Sequence, residues 1–249
     1  MSVLVGIPSD NVPAMLATGR TDVTTIYVSM SARHSEGRDA DYLEWHSLDH
    51  RPEQYRLNTL RTAFRLVSTS ECRAARAVSN ERYDATDHLM SYFFNDVAGL
   101  QRFSDLSVAM SQAGRTPYLL PLVQRAVYRL TGAIAAPRII VGADVLPWWP
   151  AKGVYVLIER GVEPASELID VAGVGGAWWG GALPMEPPFT TSPNTGLQIT
   201  YCFLDDEPVQ TARRLRPVLE ERWQRSGVEP LLAAPFHLVV PYEWDRYLP

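Results

Sequence analysis

Lysine is nearly missing from this chain: of its 23 basic residues, Lys152 alone is not arginine. Schiff-base and lysine–phosphate chemistry are left with one candidate, set in the Pro-rich stretch Leu146-Pro147-Trp148-Trp149-Pro150-Ala151-Lys152-Gly153. Cysteine is scarce too. Cys72 and Cys202 lie far apart with no CxxC neighbour, which excludes a disulfide framework and reads as two free thiols. Long apolar runs are absent. No segment approaches the roughly 18 consecutive apolar residues of a membrane span. Met1 to Arg20 lacks a basic stretch leading into an apolar one, so it does not read as a signal peptide. The expected location is cytoplasmic. The net charge of -5 advertises neither a nucleic-acid nor an anionic-membrane surface. Gly175-Gly176 and Gly180-Gly181 lack the G-x-G-x-x-G spacing of a dinucleotide loop.

What is present is an apolar content of 46%, ample for a packed core, and a diverged internal repeat. Ala135-Ala136-Pro137 echoes Ala233-Ala234-Pro235, and Ser91 to Asp96 echoes Thr200 to Asp205. Leu60 to Arg65 echoes Val174 to Trp179, and Ile26-Tyr27-Val28 echoes Val154-Tyr155-Val156. The matches keep one order in both halves, so each half reads as one copy of one supersecondary unit. The expected units are residues 1–150 and 151–249.

After a lead-in with the turn signal Asp10-Asn11-x-Pro13, residues 22–30 are β-rich and predict a strand. Asp39 or Asp41 can cap a helix running to about Arg51, which Pro52 then restricts. Residues 57–68 and 84–94 predict strands, 97–113 a helix and 138–145 a fourth strand. The second half predicts strands over 154–159, 175–181, 197–204 and 236–240, with helices over 165–171 and 209–226. Pro217 should kink or divide the last helix. The order β-α-β-β-α-β is that of a ferredoxin-like unit, so the fold class is α+β, with tandem ferredoxin-like repeats. Residues 117–132 are an insertion of the first half. Leu119, Leu122, Val123, Val127 and Leu130 space as an amphipathic helix covering a sheet edge, or a lid. Two adjacent indoles, Trp148 and Trp149, are expected to pack between the units.

The densest polar cluster is Glu44-Trp45-His46-Ser47-Leu48-Asp49-His50-Arg51-Pro52-Glu53, on the first helix of the first half. His46 and His50 share one helical face. Three readings compete. A histidine beside a carboxylate that fixes its tautomer suits proton transfer. A His-x-x-x-His pair can chelate an ion with a third ligand such as His88 or Glu53, although the zinc-protease pattern needs Glu where Ser47 stands. Or the cluster is structural, with His50 bonded to a carbonyl at the helix end.

The runs Tyr42-Leu43-Glu44-Trp45, His50-Arg51-Pro52-Glu53 and Thr59 to Arg65 resemble the dimeric α+β barrel superfamily, in particular its EthD-like branch. Trp45, His50 and Pro52 match that branch's first-helix signature. The resemblance implies two ferredoxin-like units packed as a barrel around a central pocket. It also implies cofactor-free monooxygenase, cyclase or isomerase chemistry, or a stress-related role. The signature is confined to the first half, so the resemblance implies one site.

Other candidates follow from strand faces. His88 shares a face with Met90, Tyr92 and Phe94; it is a pocket residue if that face lines the barrel, and otherwise pairs with Asp84 or Asp87. Tyr92 and Tyr201 occupy repeat-related positions. Trp178 or Trp179, but not both, can wall a ligand. His237 reads as structural. No motif singles out a carboxylate-backed proximal histidine for haem.

The resulting reading is a cofactor-free enzyme acting on a small hydrophobic or aromatic compound in the barrel. Its catalytic group is His50, oriented by Asp49 or Glu53. Trp45, His46, His88, Tyr92, Trp178 and Tyr201 contact the substrate. No metal or cofactor is assigned, and no nucleic acid or membrane partner. A homodimer stays open, since each unit could instead pair with another chain. The alternative is a non-catalytic ligand-binding or stress-related protein of the same fold.

Overall fold

The computed structural model describes residues 5–11 and 21–249. Most of the Met1 to Arg20 lead-in, Pro13 included, lies outside the described residues.

The strands are β1 (Thr25–Ser31), β2 (Leu60–Val67), β3 (Val78–Ser79), β4 (His88–Phe94) and β5 (Leu122–Ala135) in the first half. The second half holds β6 (Gly153–Arg160), β7 (Val174–Ala182), β8 (Leu197–Leu204) and β9 (Glu229–Leu238). The helices are α1 (Asp39–Trp45), α2 (Arg51–Gln54), α3 (Ser70–Ala74), α4 (Gly99–Gln112) and α5 (Pro208–Ser226). One sheet runs β2-β4-β1-β5-β7-β8-β6-β9, and β9 returns to β2 through Leu66–Leu238 and Val67–His237, so eight strands close into a barrel within one chain. The short β3 pairs outside the ring with β9. Strand order is the same in each half: β5-β1-β4-β2 and β9-β6-β8-β7.

Alternation along β1 sets the two surfaces. Ile26, Val28 and Met30 point into the barrel, while Tyr27, Ser29 and Ser31 point outward. Where a central pocket was expected, bulky side chains of the described residues occupy the barrel interior. Phe93 stands 5.9 Å from both Trp178 and Tyr201, edge-on, and Trp178 stands 6.2 Å from Phe203. All four are buried and fill the interior. Bulky aromatics from both halves meet across the axis, and an eight-stranded barrel is just wide enough for side chains to fill it.

Two expected elements are corrected. Residues 117–132 form no helix: Leu122–Ala135 is β5, paired to β1 through its first part and to β7 through its second. The apolar spacing fits a helix, but Val123, Val127, Tyr128 and Thr131 favour a strand, and open edges of β1 and β7 on either side supply ladder partners. Residues 138–145 form no strand either; they turn into a 3₁₀ turn over Ala143–Trp148. The Pro137/Pro235 echo therefore joins unlike places. Pro235 lies in β9 opposite Tyr155, whereas Val127 in β5 lies opposite Tyr27.

The second half is leaner. Its first crossover is only a 3₁₀ turn, Ser166–Asp170, where a short helix was expected. α5 starts with Pro208 and ends at Gly227, whose φ of 68° suits a glycine cap. Pro217 does not divide it; Ala212, Leu215 and Leu219 hold the helix on the sheet across that point. Trp149 packs on Gly175, where a Cβ would have no room, while Trp148 is exposed. No described helix is long and apolar enough to cross a membrane.

Candidate functional site

α1 and α2 are joined by a π-helical turn, His46–His50, in which the Arg51 amide donates to the His46 carbonyl. Such turns insert a residue into a helix and re-aim its side chains. Here they bring His46 and His50 to 5.3 Å between ring centroids, with Trp45 5.0 Å from His50. The three side chains roof a hollow of about 410 Å³ outside the barrel. Its floor is the outward face of β2, β4, β1 and β5. α4 and the segments before β5 and after β7 form its walls.

The floor carries a residue that sequence reading passed over, Arg65 of β2. It is 4% exposed, donates 2.7 Å to the Tyr42 hydroxyl and lies over that ring. Among the described residues it has no carboxylate partner, and its Nε is buried without an acceptor. The positional signal was a charged residue between Ala63 and Val67 on the buried face of a strand. Next to it the Tyr92 hydroxyl lies 3.3 Å from His46 Nε2 and receives the Gln54 amide at 3.3 Å. Tyr92, Tyr27 and Phe103 make an aromatic wall, with Tyr27 and Tyr92 stacked at 5.9 Å.

The electrostatics follow from burial and from Arg65. Burial, then the Arg65 charge, pushes His46 well below the ordinary histidine range. The same two causes, only partly offset by Asp49, bring His50 to about 4. Both rings are neutral at pH 7. Burial raises the Tyr92 phenol, which stays protonated. Nδ1 of His46 and of His50, Oε1 of Gln54, and Nε of Arg65 and of Arg125 are all buried without a partner, and all five residues line this hollow. An unpartnered buried polar atom costs about 1–3 kcal/mol, so a cluster of them marks a place where a bound molecule supplies the missing bonds.

The other sequence candidates divide. Trp45, His46, His50 and Tyr92 line the hollow together. Asp49 and Glu53 do not orient His50. Arg115, just past α4, takes Asp49 at 3.0 Å and Glu53 at 3.1 Å, and Arg56 also takes Glu53. Bonds to Arg56 and Arg115 lower the Glu53 carboxyl. The carboxylates thus tie the helix to the segment just past α4, and neither lines the hollow.

His88 is completely buried and bonds Asp39 at 2.8 Å, rather than Asp84 or Asp87. Burial lowers its pKa, so it is a neutral donor to that carboxylate. It does not line the hollow. The carboxylate-backed imidazole that a haem would require is therefore present but sealed off, and the residues do not fit that group. Trp178 and Tyr201 face the barrel interior, where Trp178 Nε1 donates to the Ala143 carbonyl and the Tyr201 hydroxyl bonds Ser91 at 2.7 Å. Tyr201 is not the counterpart of Tyr92: Tyr27 pairs with Tyr92, but Tyr155 pairs with Cys202. A one-residue offset moves a side chain to the other face. His237 stacks on Tyr247 at 3.9 Å, away from the hollow. Among the described residues no group of three or more His, Cys, Asp and Glu is arranged to hold a metal ion.

No family model matches the chain, and no curated protein matches it. Solved structures do. An anthrone oxidase-like protein superposes with a TM-score of 0.54 at 10% identity, covering 88% of this chain and 92% of that one. A protein of Fusobacterium nucleatum subsp. nucleatum, provisionally described as a monooxygenase, gives 0.49 at 12% identity over 88% and 93%. A dye-decolorizing protein from V. cholerae gives 0.46 at 13% identity over 88% and 94%. At such identities the first likeness is one of fold alone, a mixed α+β barrel.

Proposed function

We propose that the chain is a cofactor-free oxidase or monooxygenase that oxidises a hydroxylated aromatic compound held in the hollow between the first-half sheet and its helices. The observation that carries this is Arg65, a buried guanidinium with no carboxylate partner, beside two neutral imidazoles and an aromatic wall. A phenol deprotonated beside Arg65 gains a charge-assisted bond in a low-dielectric setting, which favours its anion. His50 accepts the proton. The electron-rich ring then activates a neighbouring methylene toward dioxygen: CH2 and O2 become C=O and H2O. Carbon gives up four electrons, oxygen takes four, and no further reductant is required.

The likeness to an anthrone oxidase-like fold supports the reaction class by analogy of fold alone. The EthD-like assignment is supported by Trp45 and His50 both lining the hollow. Tandem ferredoxin-like units over 1–150 and 151–249 are supported by the shared strand order. A second reading, a carrier that binds the same compound without turning it over, is favoured by the engagement of Asp49 and Glu53 with Arg115, which leaves His50 without a carboxylate to hold its tautomer. Oxygen uptake with 9-anthrone separates the two. Uptake abolished by Arg65→Met and by His50→Ala supports the enzyme; saturable binding without uptake supports the carrier.

A further inference from the structure

The floor of the hollow is a row of four residues set by strand register. Arg65 of β2 pairs with Met90 of β4, Met90 with Ser29 of β1, and Ser29 with Arg125 of β5. Directly paired residues share a face, and all four line the hollow. The two arginines therefore stand at opposite ends of one floor, three strand spacings or about 14 Å apart at the backbone.

Neither has a carboxylate partner among the described residues. Among the described residues the Arg125 side chain donates only to the Pro188 carbonyl, at 3.4 Å, and its Nε is buried without a partner. The chain has more acidic than basic residues, 28 against 23. Yet among the described residues no Asp or Glu lines this hollow. On the roofing helix Asp39 is held by His88, and Asp49 and Glu53 are held by Arg115. Between the arginines the floor is neutral, and the flank is the Tyr27–Tyr92–Phe103 wall.

We propose that the hollow takes an elongated aromatic ligand with an acidic oxygen group at each end, carboxylate or phenolate, one gripped by Arg65 and the other by Arg125. Each guanidinium offers a planar fork of donors that fits such a group. The proposal rests on the reading of the hollow as the ligand site and adds to it the charge and length of the ligand. Arg65 is the inner, sealed anchor where a reacting oxyanion forms. Arg125, half-exposed near the mouth, fixes the far end and selects for length.

The test is calorimetric titration of the full chain with biphenyl-4,4'-dicarboxylate, biphenyl-4-carboxylate and neutral 4-hydroxymethylbiphenyl. The diacid should bind about tenfold or more tighter than the monoacid, and the monoacid about tenfold or more tighter than the neutral compound. Arg125→Met should bring the diacid down to the affinity of the monoacid and leave the neutral compound unchanged. Arg65→Lys, which keeps a buried charge in case Arg65→Met does not fold, should weaken the diacid less than Arg65→Met does. Equal binding of all three compounds, no binding of the diacid, or a diacid preference indifferent to Arg125→Met would overturn the proposal. Oxygen uptake is read separately. Turnover of neutral phenols without acid preference would sink the two-anchor reading and spare the oxidase. Acid preference without any turnover would do the reverse.

Discussion

The two most deeply buried arginines among the described residues, Arg65 in the first half and Arg222 in the second, are opposites. Arg222 projects from α5 with a fully buried side chain and meets Glu159 at 3.3 Å and Glu167 at 2.8 Å, with the Trp223 indole donating to the same Glu159. Arg65 projects from β2, is also buried, and among the described residues meets only a tyrosine hydroxyl. Arg222 fastens a helix to a sheet over a filled second half. Arg65 faces a hollow. Burial alone does not distinguish a structural cation from a functional one; the presence or absence of its counter-charge does.

The largest effect that would break this contrast is on stability. Glu159→Ala leaves the buried Arg222 short of a carboxylate and should cost about 3 to 5 kcal/mol, read by denaturant unfolding. Arg65→Met should leave stability unchanged or raised, since it removes a buried charge without a partner. Equal losses from the two would abolish the distinction. Arg65→Met should instead lower turnover about 10²- to 10³-fold, in line with removal of a preorganised group that stabilises an oxyanion.

His50→Ala should lower turnover about 10²-fold, and the pH profile sharpens its role. With His50 at about 4, the acid limb of kcat/KM should fall near pH 4 and not near the ordinary 6.5. Stability follows the same sign. The histidine is neutral in the folded state and protonates more readily when unfolded, so its contribution is full above about pH 6.5 and is lost as pH falls toward 4. His46 and His88, both lowered by burial, add to that loss. An activity profile breaking at 6.5 would move the base to a residue outside the hollow. The smallest effect concerns the helix carboxylates. Asp49→Asn and Glu53→Gln should each change turnover by less than about threefold, as expected of a half-exposed clamp to Arg115.

How far the site could be read from sequence depended on whether a residue's neighbours were local. His46 and His50 were legible because a four-residue helical spacing gathers them on one face, and Trp45 through the resemblance of the first-helix signature; the π-helical turn keeps the three together. Arg65 was missed because one inward-facing charge on a strand has meaning only once the opposite strand and the roof are known. Arg125 was missed for a second reason: its strand was read as a helix, since the apolar spacing from Leu119 to Leu130 satisfies that period as well. Asp49 and Glu53 were misassigned because adjacency in sequence does not say which way a carboxylate turns, and Arg115 is distant in the chain.

The sequence by itself determined most of the strands, the long helices α4 and α5 and the cluster of imidazoles, because each follows from local propensity and short-range periodicity. Only the tertiary structure decided that the barrel interior is solid and the hollow lies outside it. It also decided that Tyr92 and Tyr201 face opposite ways, and that Arg65 and Arg125 share one floor. Those outcomes depend on strand register, in which a single-residue shift exchanges one face for the other, and register is set by partners far away in the chain.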